Sequence, residues 1–226
     1  MKKVVLAALA LCVMAVSVPA AEFGPAQYAI TDDDGTPITN FDLAPALLSQ
    51  LALLPGAYAV GNPKGDVTLR QFYDLNCPYC REAAADIDQL LHSDKNLKLV
   101  FMPYAMLSVQ SVQGALVEAA VAKMVTPERF VEFHRRLYAE RGVIDGSRAV
   151  AVAQGMGLDT KKIIAVGETP ATLAILKQNS DFGAAAKLVA TPDYVINGVA
   201  ILGHPGLKPL QKVIAAVRAC GKVVCG

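Results

Sequence analysis

The chain has 226 residues, which suits one domain with an insertion or one domain plus a small accessory piece. More than half of the residues are hydrophobic and under a fifth are charged, which supplies a packed core and excludes a largely disordered chain. The formal net charge of +1 gives no basic surface for nucleic acid, and the three histidines (His92, His134, His204) are too scattered in sequence for a multi-histidine metal centre.

Met1-Lys2-Lys3 is a basic start, Val4 to Val16 is almost unbroken apolar sequence, and Ser17-Val18-Pro19-Ala20-Ala21 brings small residues and a helix breaker. That is the layout of a secretory signal peptide over residues 1–21, with cleavage expected after Ala20 or Ala21. An uncleaved membrane anchor is the alternative, but the apolar run is short for a span. Leu11 stands before Cys12 where a lipidation site wants a small residue. Removal of 1–21 leaves 19 basic against 20 acidic residues and 4 of the 5 cysteines. An even count in an exported chain points to disulfides. The four fall into two close pairs, Cys77/Cys80 and Cys220/Cys225.

Residues 22–65 read as an N-terminal accessory segment. Tyr28 to Thr31 and Ile38-Thr39 are expected as two short strands around a turn at Asp34-Gly35. Asp42 is expected to cap a short helix from Leu43 to Leu54, closed by Pro55-Gly56. Gly61 to Gly65 is a loop. The main domain spans 66–226. Val67 to Tyr73 alternates as a strand, with Val67, Leu69, Gln71 and Tyr73 on one face. Cys77 to Ser93 has helical spacing at Ala83, Ile87, Leu90 and Leu91, and Leu97 to Met102 is a second strand. The order is strand, helix, strand, with a cysteine pair where the first strand turns into the helix.

A helical insertion follows over about 108–188. Thr126-Pro127-Glu128 and Thr169-Pro170 each open a helix, with Thr as N-cap and Pro at the first helical position. Asp193 to Ile196 and Val199 to Leu202 are strands joined by the hairpin signal Asn197-Gly198. Leu207 to Ala219 is a closing amphipathic helix. The fold class is therefore α/β, with a βαβ unit, a helical block and a ββα unit.

Cys77-Pro78-Tyr79-Cys80 carries the chemistry. Two residues between cysteines at a helix start bring the sulfurs within bonding reach. Unpaired N–H groups and the helix dipole favour negative charge on the first sulfur, and the thiolate is the reactive form. Cys80 lies one turn in and suits a resolving role, while Pro78 needs no N–H partner in the first turn. A structural disulfide and one half of a metal site are the competing uses of the pair. Of the four Thr-Pro pairs, Thr191-Pro192 alone precedes a strand that can lie beside the cysteines. A cis bond there would present backbone groups to the sulfurs, whereas an ordinary trans proline at a strand start is the commoner case. Cys220 and Cys225 read as a small disulfide pinning the tail after the last helix, with an electron-relaying pair as the alternative.

The run Phe72 to Arg81, preceded by Gly61-Asn62-Pro63 and followed by Thr191-Pro192-Asp193-Tyr194-Val195-Ile196-Asn197-Gly198, resembles the DsbA family of periplasmic thiol–disulfide oxidoreductases, including its DsbG- and ScsC-like branches. The resemblance covers roughly Gly61 to Ala219. It implies a thioredoxin-like fold with a helical insertion, a cis bond before Pro192, Cys77 as nucleophile and Cys80 as resolving thiol, with Pro78, Tyr79, Thr191 and Pro192 modulating them. It further implies formation or isomerisation of disulfides in unfolded or misoxidised exported proteins, a periplasmic or secreted location, a membrane redox partner, and no cofactor or metal. The archetype carries a buried Glu six residues before its first cysteine, and this chain has Gln71. Asp74 reads as a surface or capping residue. A periplasmic soft-metal-binding or chaperone module using the same cysteines is the rival function.

Overall fold

The computed structural model describes residues 27–54 and 58–226, so the expected signal peptide and Cys12 lie outside the described residues. A six-stranded mixed sheet organises the fold. It comprises β1 (Asn40–Asp42), β2 (Tyr58–Gly61), β3 (Val67–Tyr73), β4 (Leu97–Pro103), β5 (Asp193–Ile196) and β6 (Val199–Leu202). The spatial order is β1-β6-β5-β3-β4-β2. Only β3 and β4 run parallel, as a helical crossover requires, and every other pairing is antiparallel. The crossover is α2 (Pro78–Ser93).

The alternation of β3 sorts its side chains between two cores. Val67, Leu69 and Tyr73 join Cys77, Cys80, Ile87 and Leu90 of the α2 side. Phe72 faces the other layer, where it stacks on Phe182 with ring centroids 5.5 Å apart. That second layer is built by α1 (Pro45–Leu53) and α7 (Pro170–Ala185). The hairpin β5–β6 turns at Asn197 (φ 49°) and Gly198 (φ 82°), both left-handed, as the tightest right-twisted hairpins require.

The insertion consists of α3 (Val109–Ala122), α4 (Pro127–Ala139), α5 (Gly146–Gly155), α6 (Thr160–Gly167) and α7. Ser108, Thr126, Asp145, Asp159 and Thr169 each accept a backbone N–H in the first turn of the helix that follows. These caps answer orphan donors that each helix start would otherwise leave. The chain closes with α8 (Leu207–Cys220), ended by Gly221 at φ 69°.

Three expectations change. Tyr28 to Thr39 forms no paired strands; a single bridge, Thr31 with Pro37, closes its turn, because Asp32 draws the backbone N–H groups of Asp34 and Thr36 onto its own carboxylate. The helix after it starts at Pro45 with Ala44 as N-cap, and Asp42 is instead the last residue of β1, where its carboxylate accepts from Tyr28 Oη at 2.8 Å. The segment read as accessory also supplies both edges of the sheet, β1 beside β6 and β2 beside β4.

Candidate active site

The loop between β3 and α2 is bolted down before the first cysteine is reached. Asp74 is buried, and one carboxylate oxygen accepts from Asn76 N at 2.8 Å while the other accepts from Met106 N and Leu107 N, each at 2.9 Å. It caps a loop as expected but is not at the surface. Asn76 reaches into the insertion, donating to Ser111 Oγ and Ile144 O and accepting from Ile144 N. Tyr138 Oη and Cys77 N both donate to Asp74 O. The helix start that carries the cysteines is therefore held by three separate segments.

Cys77 is the N-cap of α2 and Pro78 its first residue. The Cys77 thiol donates to Thr191 O at 3.0 Å, and the Thr191–Pro192 bond is cis. Cys77 is buried, Cys80 is fully buried one turn further, Tyr79 between them is exposed, and both cysteines are free thiols. The structure thus brings Cys77, Pro78, Tyr79, Cys80, Thr191 and Pro192 together. Cys220 and Cys225 form a disulfide that ties the tail to the last residue of α8.

A family model described as Thioredoxin matches residues 54–216, the whole of this site included. The chain belongs to the thioredoxin family. Among solved structures, a thioredoxin-like oxidoreductase from Silicibacter pomeroyi DSS-3 superposes with a TM-score of 0.70 at 29% identity, covering 75% of this chain and 96% of that one. The thiol-disulfide exchange protein alpha-DsbA2 from Wolbachia pipientis gives 0.69 at 20% identity, over 76% of this chain and 92% of that one. The catalytic domain of Proteus mirabilis ScsC gives 0.66 at 20% identity, over 75% and 95%. These last two likenesses carry the fold. No curated protein matches the chain in sequence.

The two thiols of this thioredoxin-family site are electrostatically unlike. A hydrogen bond from Cys80 does most to pull Cys77 down from 9.0 to about 6; burial opposes it, and the Thr191 side chain and the N–H groups of Cys80 and Tyr79 assist. Burial, then the neighbouring Cys77, pushes the Cys80 thiol far up. Cys77 is thus the more easily ionised of the two, and Cys80 holds its proton the more tightly.

Several further polar groups surround the thioredoxin-family site. Gln71 is buried on β3, and its Oε1 has no hydrogen-bond partner among the described residues. It lies directly across from Tyr194 of β5, whose hydroxyl bonds His204 Nδ1 at 2.8 Å, and His204 Nε2 bonds Asp86 Oδ2 on α2 at 2.9 Å. Asp193 is buried next to Pro192; its oxygens accept from Gly203 N and Ala190 N. Burial first, and the Cys77 charge second among the raising influences, push its carboxyl up to about 7. On the insertion side, the fully buried Glu118 accepts from Tyr73 Oη at 2.7 Å and bonds His134 Nδ1 at 2.6 Å. Counting would have found His204. A hairpin turning at Asn197-Gly198 pairs Asp193 with Leu202, which puts His204 two residues past the end of β6, at the Asp193 end of the hairpin.

Proposed function

We propose that this protein is an exported thiol–disulfide oxidoreductase that makes or reshuffles disulfides in other exported proteins through Cys77 and Cys80. The observation that carries this reading is the unlike pair: an easily ionised Cys77 against Thr191 and a buried, proton-holding Cys80 one helical turn away. The printed descriptions of the Silicibacter pomeroyi and Wolbachia pipientis proteins, an oxidoreductase and a thiol-disulfide exchange protein, support it. So do the exposed apolar side chains of Tyr79, Met106, Leu107, Val109 and Val143, a surface suited to unfolded clients. Asp74 and Asn76 hold residues 106, 107 and 144 against the cysteine loop.

The chemistry balances within the pair and its client. The Cys77 thiolate attacks one sulfur of a client disulfide, and the other client sulfur leaves with the bonding electron pair. Cys80 then gives up its proton, attacks Cys77 Sγ, and expels the client's second thiolate; the client is reduced and the pair oxidised. Run backwards, the same steps form a client disulfide. Attack by a different client thiol on the mixed disulfide reshuffles it. A thiolate stabilised in the reduced state draws the pair towards accepting electrons, which favours net disulfide formation. A membrane redox partner would reset the pair.

Export rests on the signal-peptide reading of residues 1–21. Among the described residues, no helix is long and apolar enough to cross a membrane. The test is refolding of a reduced client and a scrambled client, each with wild type and Cys77→Ser, together with metal analysis of the reduced protein. Catalysis lost in Cys77→Ser is expected. A soft ion bound by both cysteines, with no catalysis by wild type, would favour the metal-binding rival.

A further inference from the structure

Cys77 is only 5% exposed, so the direction of its sulfur decides whether a client disulfide can reach it. Displacement at a disulfide needs the attacking sulfur in line with the bond it breaks. The helix start fixes the Cys77 backbone, yet a side chain can still turn about its first torsion. From across the site the Cys77 sulfur is held by Thr191 O at 3.0 Å. Whatever holds that carbonyl in place therefore bears on the attack.

We propose that Asp193 is a positioning residue for Cys77, joining the two loops at this end of the sheet into one frame that fixes the Thr191 carbonyl. This rests on the reading of Cys77 and Cys80 as an exchange pair. Asp193 is the first residue of β5, directly after the cis Thr191–Pro192 pair, and it is fully buried. Its Oδ2 accepts from Ala190 N at 3.2 Å, so the side chain closes a small ring of backbone around Thr191 and Pro192. Its Oδ1 accepts from Gly203 N at 2.8 Å, in the loop that follows β6. His204, the next residue, is bonded through Nε2 to Asp86 Oδ2 of α2, the helix that Cys77 caps. The bonds thus run in a closed circuit, from Cys77 across both loops and back to α2.

The loop before Pro192 has one anchor on each side of the exposed Val189. Tyr104 Oη donates to Leu188 O at 3.0 Å on the far side, and Asp193 is the anchor on the side of Thr191. A carboxylate accepts both N–H groups at once, whereas an amide offers one oxygen and turns its own donors towards the other N–H. Burial raises the Asp193 carboxyl, so an acid here costs the fold stability as pH rises, and the frame it makes accounts for its presence. Its charge does not help Cys77. The Cys77 charge raises the Asp193 carboxyl, and that repulsion is mutual, so Asp193 acts by holding the loop and not by its field.

A symmetric aromatic disulfide, whose thiolate absorbs light, separates the steps in the reduced full-length protein. One thiolate is released when Cys77 attacks and a second when Cys80 resolves. At about pH 9, well above the Cys77 value of about 6, ionisation does not limit the first release. Asp193→Ala is expected to slow that release about tenfold, and Asp193→Asn, which keeps the shape and one acceptor, about threefold. Alkylation of Cys77 by iodoacetamide needs the thiolate but no line of three sulfurs, and is expected to be unchanged or faster, because a loosened loop opens the site. His204→Ala unties the far side of the same frame, so adding it to Asp193→Ala should slow the first release no further than the slower single variant. A first release at the wild-type rate in both Asp193 variants would overturn the proposal, and Asp193→Asn alone decides this if Asp193→Ala does not fold. Equal slowing of exchange and alkylation would also overturn it, since ionisation or access would then be responsible. So would effects of Asp193→Ala and His204→Ala that multiply independently. Absence of the first release in wild type would instead remove the exchange reading itself.

Discussion

Replacing Cys80 with alanine tests why Cys77 is acidic. The bond from Cys80 is the largest influence lowering Cys77 to about 6, ahead of the Thr191 side chain and the N–H groups of Cys80 and Tyr79. A hydrogen bond to a charged group contributes about 1.5–3 kcal/mol, which corresponds to about 1–2 pH units. Cys80→Ala should therefore move the Cys77 inflection from about 6 to roughly 7–8. At pH 7 the thiolate fraction then falls from about nine-tenths to roughly a quarter for a midpoint shift. The remaining thiolate is more basic, however. With a nucleophilicity coefficient of about 0.4–0.5, its intrinsic reactivity rises about fivefold. The two effects nearly cancel at pH 7, so a rate measured only there would mislead. The profiles should cross: the variant about fivefold slower near pH 5.5 and about fivefold faster near pH 9. The assay is the first thiolate released from an aromatic disulfide, followed from about pH 4 to 10. An inflection that stays near 6 in Cys80→Ala would refute the reasoning and assign the acidity to the helix start and Thr191.

Asp193, raised to about 7 chiefly by burial, favours the fold in its protonated form. That contribution is complete below the ordinary carboxylate range and is lost as pH rises through 7. Asp193→Asn should lose a hydrogen bond at pH 5, yet its stability relative to wild type should improve from about pH 5 to 8 in denaturant titrations of the reduced protein; a constant difference would remove Asp193 as the cause. Cys220→Ser with Cys225→Ser should cost about 2 kcal/mol, because only five positions separate the two cysteines, and should spare exchange activity. Loss of most turnover in the folded double variant would give that pair a catalytic role. Gln71→Glu places an acid across from Tyr194 and should alter the pH profile of the second thiolate release, at some cost in stability; identical profiles would remove position 71 from the mechanism.

The parts of the fold legible in the sequence were those written in local signals. β3 alternates over seven residues, Cys77-Pro78 opens a helix, and Asn197-Gly198 supplies the two left-handed positions its hairpin needs. β1, with three residues, is too short for a period to show, and its pairing with β6 is a tertiary event. Asp42 looked like a cap because caps favour that residue type, but Pro45 sets the helix start three residues later. Around the cysteines the covalent motif was plain and its polar surroundings were not. Asp74, Glu118 and His134 sit in sequence among ordinary helix and loop residues, and only the packing of α3 and α4 onto β3 buries them. Asp86, Tyr194 and His204 come from three separate elements, joined by the hairpin register and the seating of α2.

The central claim is that Cys77 attacks and Cys80 resolves. Mixing Cys77→Ser and Cys80→Ser separately with an unfolded, disulfide-bearing client, then separating the products by non-reducing electrophoresis, tests it most directly. Cys80→Ser keeps the helix-start thiolate, which ionises the more easily of the two, but lacks the thiol that releases the client, so reductant-sensitive adducts should accumulate. Cys77→Ser retains only the buried thiol, whose proton is held far more tightly, and should trap little. More client trapped by Cys77→Ser than by Cys80→Ser would reverse the roles, and no trapping by either would contradict the account.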